Sequence, residues 1–251
     1  DLWLDAFVTD FLSRAKALGY QVPDVAFRNA MDNLRNQINY SADFDSNGGP
    51  VAYALMVLAR EGAAAMGDLR YYADVKADAF DTPIAAAQLG AALASYGDQT
   101  RADAMFKRAA DMVAQVNLSQ PEAQVWRADY GTNLRDATAV LALGTEAGST
   151  AFNADRLGQS VAAGLLSRQL STQEATWALL ATHASLANKG AESFSISGDP
   201  VTRPLVRVIE DQTAGGTEQV ISNTGKADST LTLTTFGVPV TPEPAGGNGY
   251  K

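Results

Sequence analysis

The sequence predicts a mainly α-helical fold with a β appendage, its helices paired as antiparallel hairpins in a two-layer ring or solenoid. Three observations carry that expectation. Apolar residues recur at helical spacing from the N-terminus to about residue 190, with proline and glycine at the ends of the periods. Helices that are apolar nearly all round alternate with clearly one-sided ones. From about residue 191 the pattern changes to apolar–polar alternation rich in Val, Ile, Thr and Phe.

The first helix carries Leu4, Phe7, Val8, Phe11, Leu12 and Ala15 as one apolar stripe, the side such a helix turns to a core. Gly19-Tyr20 ends it, and Pro23-Asp24 opens a second helix with Phe27, Met31, Leu34 and Ile38 on one face. Further helices are expected near 50–65, 68–76, 83–96, 99–115, 132–147, 154–168 and 172–188. Pro50 and Pro83 fall in first turns, where the missing N–H costs nothing. Gly67, Gly97 and Gly148 are placed at helix ends, where a left-handed residue closes the last turn. PIAAAQLGAALASYG (83–97) should be buried on most sides, whereas QTRADAMFKRAADMVAQ (99–115) should bury one face. Residues 85–112 resemble one tetratricopeptide unit, but no second copy follows, so a regular array is not expected. Beyond residue 190, ESFSISGD, LVRVIEDQ, TEQVISNTG and STLTLTTFGVPV read as antiparallel strands, too few for a full sandwich.

The chain has 251 residues, 46% of them hydrophobic, enough to bury a real core. The net charge of -9 repels phosphate backbones, which argues against nucleic-acid binding. No apolar run is long enough to span a membrane. Asp1-Leu2-Trp3 lacks the features of a signal peptide and drops straight into a helical pattern, so a segment of a longer chain is expected. There is no cysteine, which removes thiol nucleophiles and thiolate metal sites. His183 is the one histidine, so a zinc site with several imidazoles is impossible within these residues.

Four motifs could carry chemistry. Asp43, Asp45, Asn47 and Gly48 in SADFDSNGGP spell the opening of a calcium loop. Position 12 of that loop, where a bidentate Glu belongs, is Ala54, and Pro50 starts a helix inside it. A polar turn is the expected reading. His183 lies late on an Ala-rich helix beside Leu179 and Leu186, with no nucleophile and orienting acid evident, so a structural role near the helix C-terminus is expected. Asp129, Tyr130, Arg135 and Asp136 cluster where WRADYGTNLRDATAVL enters a helix, as a cap plus a surface Arg–Asp pair or as paired carboxylates for glycoside chemistry. Ser171 and Glu174 have the spacing of a capping box.

Five phrases together resemble the bacterial alpha-2-macroglobulin family: LWLDAFVTDFLSRAKALGYQVP (2–23), AYALMVLAREGAAAMGDLRYY (52–72), LGAALASYGDQTRADAMFKRA (89–109), DYGTNLRDATAVLAL (129–143) and STQEATWALLA (171–181). They fall in the order the family has them. The resemblance implies that 1–190 is the later part of a thioester-type domain, a partial α/α toroid of helical hairpins. It implies that 191–251 is a β segment of a CUB-like domain, the returning half of an interrupted sandwich, to which VISNTGKADSTLTLTTFGVPVTPEPAGGNGYK (220–251) is similar.

The function implied is that of a broad protease trap, with target proteases as partners. Bacterial members of the family are periplasmic, often lipid-anchored to the inner membrane, and associated with peptidoglycan synthases. The family's Cys-x-Glu-Gln thioester would precede residue 1, and these residues hold no cysteine with which to form it. In complement relatives an assisting histidine lies near the position of DFDSNGG, which holds none here. No catalytic, cofactor-binding or metal-binding residue is therefore expected in this chain. The resemblance places the 43–48 loop on a toroid rim. Two other readings stand beside it: a toroidal carbohydrate-active enzyme using Asp129, Tyr130 or the Asp43–Asp45 carboxylates, and a helical-repeat interaction scaffold.

Overall fold

The computed structural model describes residues 1–40, 43–119, 127–188, 194–200 and 220–225. Contacts divide the chain into two units, Asp1–Lys189 and Gly190–Lys251.

The described residues of the first unit form nine α-helices: α1 Leu2–Ala17, α2 Asp24–Asn39, α3 Gly49–Arg60, α4 Met66–Val75, α5 Pro83–Ser95, α6 Gln99–Val113, α7 Asn133–Glu146, α8 Ala154–Leu166 and α9 Thr172–Asn188. The odd-numbered helices make one layer in chain order, α3 packing between α1 and α5, α5 between α3 and α7, and α7 between α5 and α9. The even-numbered helices lie outside, α2 on α1 and α3, α6 on α5 and α7, and α8 on α7. This is the two-layer hairpin arrangement of a partial α/α toroid, and it explains the two helix grammars. An inner helix meets neighbours on every side, so Val51–Ala59 of α3 and Leu134–Gly144 of α7 are buried without a break. An outer helix buries one stripe, as α6 does with Ala102, Met105, Phe106, Ala109 and Val113.

Packing between the layers depends on large side chains meeting glycine. The Phe106 ring lies against Gly90 of α5, where a Cβ would come within 3.3 Å of it. Phe152 covers Gly144 of α7 and Leu134 covers Gly164 of α8 so closely that a Cβ at either glycine would overlap them.

Three expectations are corrected. The helix expected over 50–65 stops at Arg60, because Gly62 takes φ +69 and closes the turn. Gly67, placed at a helix end, lies instead within the first turn of α4, while Gly97 and Gly148 do take left-handed φ. The larger correction is α1. Leu4, Val8 and Phe11, expected to face a core, are 51%, 47% and 68% exposed, while Trp3, Ala6, Thr9, Asp10 and Ser13 are buried.

In the second unit, β1 Phe194–Ile196 pairs antiparallel with β2 Asp199–Pro200 and with β3 Ile221–Asn223, in the order β2-β1-β3. Ser197 and Gly198, at φ 50 and φ 94, make the two-residue turn from β1 to β2, the left-handed pair that a tight hairpin requires. The strands expected in LVRVIEDQ and STLTLTTFGVPV fall outside the described residues.

Candidate functional site

Charged side chains are drawn into the helical unit at three places. The first joins α1 to α3. Asp10, buried on α1, accepts from the Tyr53 hydroxyl at 3.0 Å, from Arg14 Nε at 3.1 Å, and from Arg60. Ser13 donates to Glu61 at 2.6 Å, and Arg14 reaches Glu146 at the end of α7 at 3.3 Å. Burial, then the Asp10 carboxylate, pushes the Tyr53 hydroxyl well above its ordinary value, so it remains a donor. Beside this network the C-terminal ends of α3, α5 and α7 surround a cavity of about 260 Å³, lined by Met56, Arg60, Ser95, Leu143 and Glu146 among others.

The second place is the start of α7. Thr132 caps it, its hydroxyl accepting from the Arg135 N–H at 3.1 Å. Arg135 and Asp136 form no surface pair: they are 1% and 0% exposed and face each other at 2.8 Å. Arg127 bridges Asp136 at 2.9 Å and Asp129 at 2.7 Å, and Arg135 also holds Asp129 at 2.6 Å. Burial opposes ionisation of Asp129, but the two guanidiniums outweigh it and hold the carboxyl below its ordinary value. For Asp136 burial wins and raises the carboxyl. A Cβ at Gly131 would run into the guanidiniums of Arg135 and Arg127, so glycine lets both close over the turn as they stand. Tyr130, at φ 52, is exposed and its ring lies 6.0 Å from that of Trp3.

The cluster extends to α9 through the capping box. The Ser171 N–H donates to Glu174 at 2.7 Å and the Glu174 N–H donates back to the Ser171 hydroxyl at 3.3 Å. Glu174 also accepts from the Thr132 hydroxyl at 2.7 Å and from Arg168, so one carboxylate fixes the starts of α7 and α9. Burial disfavours its charge, but these hydrogen bonds prevail and lower its pKa. A carboxyl lowered by folding stabilises above its unfolded value, and that contribution is lost as pH falls through the folded one. Glu174 and Asp129 both act in this sense, and Asp136, raised by burial, opposes them. Unfolding followed by circular dichroism should therefore begin as the pH drops below about 4 and not at mildly acidic pH. A midpoint that already falls between pH 6 and 5 would contradict it.

The third place is the calcium-like loop, and its cation is a lysine. Lys76 Nζ lies 3.0 Å from Asp43, 2.7 Å from Asp45 and 3.2 Å from the Phe44 carbonyl oxygen. The hydrogen bonds it donates to Asp45 and Asp43 raise the ammonium above its ordinary value, and Lys76 lowers Asp43. The rest of the loop is clamped beside it. The Asn47 N–H donates to Asp81, the Gly48 N–H donates to the Ala79 carbonyl, and Phe44, Tyr72 and Phe80 pack as a triangle of rings with centroids 5.7–5.8 Å apart. Millimolar calcium should leave the thermal midpoint of the protein unchanged. Lys76→Met should speed amide exchange across 43–48, and unaltered exchange would show that the ammonium does not hold the loop.

The carboxylates of the enzyme reading are all ion-paired: Asp129 and Asp136 hold guanidiniums and are largely buried, and Asp43 and Asp45 hold Lys76 while staying exposed to solvent. His183 lies exposed in the C-terminal half of α9. Among the described residues no group of three or more His, Cys, Asp or Glu side chains is disposed to hold a metal, and no helix is long and apolar enough to cross a membrane.

No family model matches the chain. The chain is 33% identical over 152 residues, 57% of its length, to alpha-2-macroglobulin of Escherichia coli strain K12, and that match spans 9% of the relative. Three solved structures each cover 90% of this chain. Salmonella alpha-2-macroglobulin reacted with methylamine superposes with a TM-score of 0.61 at 28% identity, and native Escherichia coli alpha-2-macroglobulin with 0.61 at 26%. The Escherichia coli fragment from domain MG7 to the C-terminus gives 0.58 at 25%. The chain spans 15%, 14% and 36% of those chains. The resemblance read in the five phrases is borne out in both sequence and fold.

Proposed function

We propose that this chain, a relative of the bacterial alpha-2-macroglobulins, is a non-catalytic structural segment of a longer protease inhibitor of that family. The observation that carries the reading is the match across 90% of the chain to those inhibitors, in identity and topology together. The helical unit would be the later part of the thioester-type domain and the β unit part of the CUB-like domain. The ion clusters at the starts of α7 and α9 fit this role, since they fix helices to one another. The expected partners are endopeptidases, met in the periplasm by a lipid-anchored parent that works beside a peptidoglycan synthase.

The test uses the full-length protein. Incubated with trypsin, it should take the protease into a complex that still cleaves a small chromogenic substrate and no longer cleaves a large protein. Unimpeded cleavage of the large substrate, with no complex, would sink the reading. Methylamine then sorts the mechanism. A glutamine adduct upstream of residue 1, with release of a thiol, makes the inhibitor covalent, and its absence from freshly folded protein makes it a steric trap.

A further inference from the structure

The loop that Lys76 holds contains a peptide bond with chemistry of its own. Asn47 and Gly48 are adjacent, Asn47 with a left-handed φ of 59 and Gly48 as the N-cap of α3. The fold favours both residue types. Asparagine is among the few residues with a side chain that accept a left-handed backbone. A Cβ at Gly48 would lie 2.8 Å from the Phe44 ring and 2.9 Å from both the Ala79 carbonyl oxygen and the Phe80 ring, so glycine lets those groups close over the turn as they stand.

An amide nitrogen that belongs to glycine meets little steric hindrance when it attacks the side-chain carbonyl of a preceding asparagine. The bond from the Gly48 nitrogen to Asn47 Cγ forms, the Cγ–Nδ2 bond breaks, and ammonia leaves with the proton that the Gly48 N–H gives up. Solvent water then opens the five-membered imide. Opening at Cγ yields aspartate. Opening at the main-chain carbonyl yields isoaspartate, whose backbone runs through the side chain and is one carbon longer.

The folded loop withholds the nucleophile. Asn47 is exposed, but Gly48 is buried. The Gly48 N–H donates to the Ala79 carbonyl at 2.9 Å, and the Gly48 carbonyl accepts from the Ala52 N–H at 2.9 Å. Asn47 is held as well, its N–H on Asp81 at 3.1 Å and its side-chain amide on the Ser46 hydroxyl at 3.2 Å. Ring closure therefore requires the loop to lift. Lys76, bound to Asp43, Asp45 and the Phe44 carbonyl, resists that lifting.

The product does not refit. Aspartate adds a carboxylate to a loop whose Asp43 and Asp45 already share one ammonium, and it does so on the residue whose own N–H leans on Asp81. Isoaspartate inserts its extra carbon immediately before Gly48. There the Phe44 and Phe80 rings leave no room even for a methyl group.

We propose that Asn47 is a deamidation site gated by the Lys76-held loop, and that its conversion keeps the loop open. The fold then carries a one-way ageing switch at the start of α3. The chemistry is independent of the inhibitor reading.

The test holds the protein at mildly alkaline pH, digests it and follows residue 47 by mass spectrometry, with chromatography separating the asparagine, aspartate and isoaspartate forms. A synthetic peptide of residues 43–52 gives the ungated rate. Conversion in the folded protein should be at least about tenfold slower than in the peptide, as for a site reached only by local opening. Lys76→Met should speed it by about twofold to fivefold, the weight of exposed ion pairs. Asp45→Ser, an exposed change that leaves the core untouched, should act in the same direction. In the aged sample, amide exchange over 43–48 should be faster in the acid forms than in the asparagine form of the same peptide. Equal rates in protein and peptide overturn the proposal, as does a rate that neither variant alters. Complete conversion of the peptide with no product in the protein or in Lys76→Met removes the site. Equal exchange in the acid and asparagine forms removes the switch.

Discussion

Arg135→Met should destabilise the helical unit by about 3–5 kcal/mol, the usual cost of removing one partner from a buried ion pair. Arg135 is 1% exposed and is the only guanidinium that faces Asp136 from its own helix, at 2.8 Å. With it gone, Asp136 keeps Arg127 at 2.9 Å, and Asp129 loses one of its two cations. The cost is two carboxylates, one of them fully buried, left to share the single guanidinium of Arg127, and not the absence of a salt bridge as such. Arg135→Met combined with Asp136→Leu should therefore recover most of the loss, since an apolar pair of similar volume is often neutral in place of a buried ion pair. Urea midpoints of the single and double variants decide the point. A single variant within about 0.5 kcal/mol of the parent chain, the range of ordinary surface changes, would mean that the cluster is wet and contributes little.

Phe106→Ala should cost about 3–5 kcal/mol, because its ring is fully buried between α6 and α5 and the gap it leaves cannot close against rigid inner helices. The revealing variant is its combination with Gly90→Ala. Alone, Gly90→Ala sets a Cβ 3.2 Å from the Ala102 carbonyl oxygen and 3.3 Å from the Phe106 ring, so it should destabilise despite the helix preference for alanine of about 1 kcal/mol. Without the ring that methyl has room on one side, and the same change should turn neutral or stabilising. The two effects should fail to add by about 0.5 kcal/mol or more, as they do for residues in contact. Strict additivity in a thermal-denaturation cycle would show that the two helices do not interlock there.

Much of this was legible in the residues. α5 and α6 were readable as an enclosed and a one-sided helix, because alanine and leucine on every face can be satisfied only by neighbours on every side, whereas the stripe of α6 marks one covered face. The capping box at Ser171 and Glu174 was readable because it is local, a contact between residues three apart. The end of α3 was not, since Gly62 and Gly67 both qualify as stops and only the backbone shows that Gly62 takes the left-handed turn. The cation of the 43–48 loop was hidden for a different reason. Asp43 and Asp45 announce a demand for positive charge, but Lys76 lies more than thirty residues away, and nothing local says that it will arrive. Arg127 stands in the same stretch but was not among the residues expected to cluster, and only the folded chain shows it bridging Asp129 and Asp136.

The sequence by itself determined the helical class, the places where most helices begin and end and the absence of cysteine from these residues, because periodicity, caps and composition are properties of short stretches, and its ordered phrases carried the resemblance to the bacterial alpha-2-macroglobulins. Only the tertiary structure decided which face of α1 is inside. Its apolar stripe pointed one way and the partners of Asp10 the other, and those partners, Tyr53 and Arg60, lie on α3. Stranding a buried carboxylate costs more than leaving three apolar side chains in water, so the charge chose the face.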